Sequence, residues 1–149
     1  RTFMLRGNAL AKVDSKGRLK LPAGFRAVIE PEFGTDFFVT SLKGESVRIY
    51  PMVVYARLEE RLSGASSVKP AVNKLRTMLN YYGQVASMDS QGRILIHPLL
   101  RQSAGINGDV AVLGQQNFVE VWNRAQIESV LRDHPLDDED LRELATLGF

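Results

Sequence analysis

Hydrophobic and polar residues alternate in two short segments near the start of the chain. Residues 8–13 alternate, and residues 18–21 alternate again with both leucines on one face. A period of two is typical of β-strands with one buried face. Between the segments, Asp14 tolerates turn geometry and Gly17 supplies a positive φ. The pattern predicts a strand, a tight turn and a strand, with the charged side chains of the second strand pointing away from its leucines.

This unit occurs twice. The segment Asp14–Arg18 recurs as Asp89–Arg93, an offset of 75 residues (from 14 to 89 and from 18 to 93), and Arg26 matches Arg101 at the same offset. A self-match at a fixed period indicates one structural unit in two copies. Two copies are too few for a solenoid, so we expect a pseudo-two-fold pair in which each copy buries its apolar face against the other. In the second copy, Asp89 and Gly92 are the expected turn residues.

Helices and hairpins are predicted after each repeated turn. A short helix begins at Pro22 and is expected to end before Pro31, and its counterpart begins at Pro98 and ends at a left-handed Gly105. The predicted hairpin strands are Asp36–Thr40 with Val47–Tyr50, and Asp109–Leu113 with Phe118–Trp122. The further helices are expected over residues 51–62, 68–80 and 124–131, the last of them capped by Asn123, with a break over residues 63–67. The acidic run Asp137–Asp140 opens a final helix. The interpretation is an α+β fold with a first repeat over residues 1–80 and a second over residues 81–149.

Composition narrows the class of protein. The 149 residues suffice for one compact domain with a core, and none is cysteine, so there is no disulfide framework and no thiolate zinc site. No apolar run approaches the roughly 18 residues that span a bilayer. The sequence therefore predicts a soluble protein of the cytoplasm, with no membrane partner.

Charge is divided unevenly between the copies. Residues 1–80 carry 14 Lys and Arg against 7 Asp and Glu, a net charge of +7, whereas residues 81–149 carry 5 against 10, a net charge of −5. Every lysine lies in the first copy. Uneven solvated charge is the simpler interpretation, but such asymmetry also places a positive field where a polyanion can bind.

Residues for catalysis are scarce. The two histidines, His97 and His134, belong to no metal-spaced cluster and no nucleophile-base motif, and His97 between a strand and Pro98 is expected to be structural. Adjacent acids such as Glu59 and Glu60 point to different faces of a helix. We therefore expect no enzyme activity, no cofactor and no metal site.

Basic residues crowd around the first turn instead. They are Arg6, Lys12, Lys16, Arg18 and Lys20. Arginine can bind a guanine edge with two hydrogen bonds, and lysine can neutralise phosphate. The alternative for Arg18 is a local salt bridge to Asp14 across the turn.

Several of these residues together resemble the bacterial MraZ family. They are Met4–Gly7, Asp14–Leu19, Pro22, Arg26, Asp89–Arg93, Pro98, Leu100, Arg101 and Gly105. Residues 1–3 precede the usual start of the family at Met4. The resemblance covers nearly the whole chain, and the paired motifs at this spacing are specific to MraZ, whereas a single such motif would indicate only the wider AbrB-like group.

The resemblance implies a tandem AbrB-like swapped-hairpin β-barrel with flanking helices. It also implies a ring-shaped homo-oligomer that binds repeated boxes in double-stranded promoter DNA, is associated with the nucleoid, and usually represses the division and cell-wall gene cluster. The DNA-contacting motif of the family corresponds here to Lys16 and Arg18, and in the second copy to Arg93. That copy has Gln91 in place of Lys16 and Leu95 in place of Lys20.

A second hypothesis is a protein-interaction module, antitoxin-like or scaffolding, that holds a partner through the acidic C-terminal helix. Salt dependence of DNA binding would distinguish the two, because binding to phosphates releases counterions.

Overall fold

The computed structural model of the protein describes residues 4–65 and 68–149. Its eight strands are Asn8–Val13 (β1), Arg18–Lys20 (β2), Asp36–Thr40 (β3), Val47–Pro51 (β4), Gln84–Ser87 (β5), Arg93–Leu95 (β6), Gly108–Gly114 (β7) and Val119–Asn123 (β8). The α-helices of the described ranges are Ala23–Phe33 (α1), Met52–Ser63 (α2), Pro70–Tyr82 (α3), Pro98–Ala104 (α4), Arg124–Asp133 (α5) and Asp138–Leu144 (α6). A 3-10 turn at Ala145–Leu147 follows α6.

The strands of the two copies interleave in a single antiparallel sheet. The strand order is β5-β3-β4-β8-β7-β1-β2-β6, and the two outer strands, β5 and β6, contact each other. The sheet therefore curls into a nearly closed barrel. Each copy's hairpin lies between strands of the other copy, which confirms the predicted α+β fold with swapped hairpins.

A pseudo-two-fold axis relates the copies. Strand β2 pairs with β6 so that Leu19 lies opposite its own repeat equivalent, Ile94. Across the barrel, β4 pairs with β8 so that Arg48 lies opposite Glu120. Leu19 and Ile94 are both fully buried in a core cluster that draws on both copies. The predicted burial of one copy against the other is confirmed.

Helix α1 extends past the proline that was expected to end it. Pro31 lies inside the helix, which continues to Phe33. The proline removes the hydrogen bond to the carbonyl of Ala27, but both residues are at the surface, where water can replace it. Phe33, the last residue of the helix, is partly buried and packs against the core.

Two predicted helix caps are confirmed, whereas α2, α3 and α5 end one or two residues beyond their predicted last residues. Asn123 caps α5 by accepting a hydrogen bond from the N–H of Gln126, and Gly105 ends α4 with φ 66°. The predicted start of the third helix at Val68 is wrong by two residues, since α3 begins at Pro70. Within the predicted break over residues 63–67, Ser66 and Ser67 lie outside the described residues, as do residues 1–3.

Candidate nucleic-acid interface

The first repeated turn is held by one carboxylate. Asp14 Oδ1 accepts hydrogen bonds from the backbone N–H groups of Lys16 and Arg18, both at 2.9 Å. Its Oδ2 accepts from Arg18 Nε at 2.9 Å. Gly17 has φ +84° and donates its N–H to the carbonyl of Asp14. Aspartate closes the turn and glycine supplies its left-handed residue, as the sequence predicts.

The second turn repeats these contacts. Asp89 Oδ1 accepts from the N–H groups of Gln91 and Arg93, and its Oδ2 accepts from Arg93 Nε at 2.8 Å. Gly92 has φ +78°. The two turns therefore share a backbone and differ in the side chains that they present at the tip, Lys16 in one and Gln91 in the other.

Each turn is braced by the other copy. The N–H of Leu21 donates to the carbonyl of Gly92, and the N–H of Ile96 donates to the carbonyl of Gly17. A Cβ atom on Gly17 would collide with the guanidinium of Arg101, which donates from Nε to the carbonyl of Ile96 at 2.7 Å. These bonds join the two turns to each other at one end of the barrel.

Arg26 is the pseudo-symmetric equivalent of Arg101. Its guanidinium lies against Gly92, where a Cβ would approach Nη1 to 2.9 Å, and it donates to the carbonyl of Ser90 and to Glu30. Sequence reasoning missed this bracing function. The available signal was the match of the two arginines at the offset of the repeat.

The hydrogen bonds also stabilise the charged form of both turn carboxylates. The backbone N–H of Arg18 is the main cause that lowers the pKa of Asp14, and the Arg18 side chain and the N–H of Lys16 add to it, against a partial desolvation that raises it. The pKa of Asp89 is lowered by the equivalent groups of its own turn.

Basic side chains line the outer face next to the turns. Lys20 lies directly opposite Arg93, because β2 and β6 pair across the pseudo-axis. Lys12, in the neighbouring strand β1, forms an exposed ion pair with Asp109 at 3.8 Å. Lys16 is exposed at the tip of the first turn. The structure therefore gathers Lys12, Lys16, Arg18, Lys20 and Arg93 into one surface, which we call the hairpin surface.

Arg6 lies apart from this surface. It precedes the start of β1, whereas the turn follows the end of that six-residue strand, a separation of about 20 Å at the usual rise per residue. A ligand bound at the turn can therefore reach Arg6 only if it extends along β1.

The local salt bridge of Arg18 is present. It joins Arg18 Nε to Asp14, with 31% of the arginine side chain exposed. Because the bond uses Nε, it fixes the guanidinium and leaves the two Nη groups for another acceptor. The salt bridge and a ligand-binding function of Arg18 are therefore compatible.

The remaining candidates for chemistry have structural explanations. His97 Nε2 lies 2.7 Å from the carbonyl oxygen of Tyr82, and His134 follows the last turn of α5 at the surface. Nowhere in the described part of the chain do three or more His, Asp or Glu side chains come together as a possible metal site. None of the described helices combines the length and apolar character needed to cross a bilayer.

The chain matches the protein family described as "MraZ protein, putative antitoxin-like" over residues 4–77 and 84–146, so that each matched range contains one of the two turns. The chain belongs to the MraZ family. It is 41% identical over 146 residues to the transcriptional regulator MraZ of Acidobacterium capsulatum, covering 98% of this chain and 100% of the relative. It is 42% identical over 147 residues to the protein of the same name from Koribacter versatilis, with the same coverage. The Escherichia coli protein of that name is 33% identical over 144 residues, covering 96% of this chain and 92% of its own length. The resemblance drawn from the repeated motifs is thereby confirmed.

Proposed function

We propose that this protein is a transcriptional regulator that binds double-stranded promoter DNA through its hairpin surface. The name shared by its MraZ relatives supports regulation of transcription. The observation that carries DNA binding is the first turn, which is closed by hydrogen bonds to Asp14 and leaves Lys16 exposed and Arg18 partly exposed. Preorganised groups bind with a smaller loss of conformational entropy.

The geometry of a hairpin fits the major groove. A two-stranded β-ribbon enters a groove about 12 Å wide, and arginine is the commonest partner of guanine O6 and N7. Arg18 keeps its Nη groups for this contact while Asp14 holds Nε. Lys16, at the tip, and Lys20, on the strand, are then placed for phosphates. Lys12 can exchange its exposed partner Asp109 for a phosphate at little cost, since surface ion pairs contribute about 0–1 kcal/mol.

The second copy contributes less to DNA binding in this proposal. Arg93 is held by Asp89 as Arg18 is by Asp14, and it lies beside Lys20 on the same surface. However, Gln91 and Leu95 replace two lysines of the first copy. Arg93 therefore supports the first-copy turn, and Arg6 reaches phosphates further along the duplex.

The proposal includes the assembly and target that the family resemblance implies. Several chains form a ring, present successive hairpin surfaces to repeated promoter boxes, and repress the division and cell-wall gene cluster at the nucleoid. Tethering several weak sites raises overall affinity by roughly 10²–10⁴ when box spacing matches subunit spacing.

Fluorescence anisotropy with promoter DNA and with random duplex at two salt concentrations tests the proposal. We expect affinity to fall steeply with salt for both duplexes, because each phosphate contact releases counterions. Replacing Arg18 with Ala should weaken promoter binding by about 1–3 kcal/mol per hairpin and reduce discrimination at one base position.

A matched control removes one positive charge elsewhere. Arg132→Ala, in the last turn of α5 and outside the hairpin surface, should leave promoter affinity nearly unchanged. If both variants weaken binding equally, only net charge matters and Arg18 reads no base. If the parent protein shows no salt dependence and no preference for the promoter, the DNA-binding proposal fails.

A protein-interaction module remains the second candidate. The observation in its favour is that α6 carries no buried residue. A partner held by this acidic helix would bind whether or not the hairpin surface is intact, so Arg18→Ala would leave it unaffected.

A further inference from the structure

The C-terminal segment over residues 136–149, here called the tail, has apolar side chains with no cover. Leu141 is 47% exposed, Leu147 is 68% exposed and Phe149 is 93% exposed. Helix α6 spans seven residues, and isolated helices of that length are marginal in water even with a good cap. Its capping box, formed by Asp137 and Asp140, satisfies the N-terminus but buries no apolar surface. The tail therefore presents an apolar face that requires a partner.

In the first copy, the helix equivalent to α5 has a neighbouring helix beside it. There, α3 follows α2 in the chain and packs beside it, with Arg76 on α3 donating to the carbonyl of Leu62 on α2. In the second copy α6 follows α5 in the same order, but α6 has no buried residue and Leu131 on α5 stays 64% exposed. The two copies are thus equivalent in the barrel and different in their helices.

A complementary surface lies between α2 and α3. This helix groove is defined by Tyr55, Leu58, Leu62, Leu75 and Leu79 and encloses about 310 Å³. Its wall is mostly apolar and also includes two arginines, Arg48 and Arg61. Such a groove accepts leucine side chains spaced along one face of a short amphipathic helix.

The charges of the two surfaces are opposite. The tail carries five acidic residues, Asp137, Asp138, Glu139, Asp140 and Glu143, against Arg142 alone. The helices of the groove carry four basic residues against two acidic ones: Arg57, Arg61, Lys74 and Arg76 against Glu59 and Glu60. No salt bridge joins any of these side chains to another residue in the described ranges. Electrostatic complementarity of this kind directs association and fixes orientation.

We propose that the tail of one chain binds the helix groove of a second copy of the chain. This inference rests on the proposed function, because the contact between tail and groove is the subunit contact of the proposed ring. Because tail and groove are different surfaces, the contact is heterologous, and a heterologous contact that closes generates a ring. In the strand order, β4 lies four strands from β2 in either direction, so a groove beside β4 leaves the hairpin surface open to DNA.

Disulfide cross-linking tests the contact directly, because the natural chain has no cysteine. One chain carries Leu144→Cys in the tail and an affinity tag, and another carries Leu62→Cys in the groove. After mixing and mild oxidation, we expect mixed dimers in at least tenfold excess over a control in which Leu131→Cys on α5 replaces the tail cysteine. Equal yields from the tail and control cysteines would overturn the proposal.

A chain with both cysteines distinguishes binding within one molecule. If the tail binds its own groove, this chain forms an internal disulfide, retains the single-chain mass of 16.6 kDa and gives no mixed dimers. That result would also overturn the proposal. The expected result is a ladder of linked chains.

A second measurement needs no cross-link. The double variant Leu141→Asp, Leu144→Asp should fall from a multimer to the single-chain mass in light scattering while its circular dichroism is retained, because α6 contributes nothing to the barrel core. If this variant stays multimeric, the tail is not the subunit contact and a protein partner becomes its occupant.

Failure of this inference and failure of the proposed function give different results. A variant that remains multimeric and binds promoter DNA overturns the tail contact alone. A parent protein that cross-links as expected and binds no DNA overturns the proposed function alone.

Discussion

Two arginines, one from each copy, connect the two turns, because each arginine contacts the turn of the other copy. Arg101 lies against Gly17 and Arg26 lies against Gly92, so a Cβ at either glycine would displace an arginine side chain in addition to straining a positive φ. This arrangement explains why the turn motif and the later arginine repeat together at one offset.

Substitution of Gly17 with Ala is expected to destabilise the protein by about 2.5–5 kcal/mol. About 1–2 kcal/mol comes from placing a Cβ in left-handed backbone, and about 1.5–3 kcal/mol from displacing Arg101 from its bond to the Ile96 carbonyl. Chemical denaturation measures the change. Gly7→Ala is the matched control, since Gly7 has φ +88° and open space around its Cβ position. Gly7→Ala should lower the free energy of unfolding by the backbone contribution alone. Equal decreases for Gly7→Ala and Gly17→Ala would show that Arg101 moves aside freely.

The lowered pKa of Asp14 predicts an acid-dependent loss of stability. A carboxyl whose pKa is lower in the folded state contributes stability above its unfolded pKa, and this stability is lost as pH falls through the folded pKa. The loss therefore occurs below about pH 4. Asp14→Asn should lower the thermal midpoint at pH 7, and its difference from the parent should shrink as the pH falls through this range.

Glu45→Gln serves as the control for this change of charge. Glu45 is exposed in the loop between β3 and β4, outside the tail. Its thermal midpoint should follow that of the parent at every pH. A constant difference between Asp14→Asn and the parent across the acid range would contradict the linkage to the carboxylate.

The two hairpin turns are equivalent in backbone and different in charge. Lys16→Ala should weaken binding to promoter and random DNA by a similar factor and lower the salt slope by about one unit, as for one lost phosphate contact. Gln91→Ala, at the equivalent position of the second turn, is the matched control and should do far less. Anisotropy titrations across a salt series measure both. Equal effects would mean that the two copies share DNA contacts evenly.

The strands, turns and caps could be predicted because their signals are local. Alternation, the Asp and Gly of each turn, and the Asn123 cap all act within a few residues. The end of α1 could not be predicted from Pro31 alone, because Phe33 packs against a core that is formed by distant parts of the chain. Of the candidate site, the repeat predicted the turns, but the braces by Arg26 and Arg101 depend on contacts between distant parts of the chain.

The positive charge of the first copy is divided between two surfaces of the folded molecule. Part of the positive charge of the first copy lies at the hairpin surface, and part lies on α2 and α3, on a different side of the barrel. Half of the acidic residues of the second copy lie in the tail. The sequence indicated one positive field, whereas the structure divides the basic residues between the hairpin surface and the helices α2 and α3.

This division predicts that assembly and DNA contact can be separated. In the variant Leu141→Asp, Leu144→Asp the hairpin surface is intact, so affinity for a single promoter box should equal that of one parent hairpin. On DNA with several boxes, affinity should fall by roughly 10²–10⁴, because linked hairpins no longer share one particle. Anisotropy titrations on single-box and multi-box DNA, beside light scattering, measure both. If the single-chain variant binds multi-box DNA as tightly as the parent, one chain carries the whole recognition surface and avidity contributes nothing.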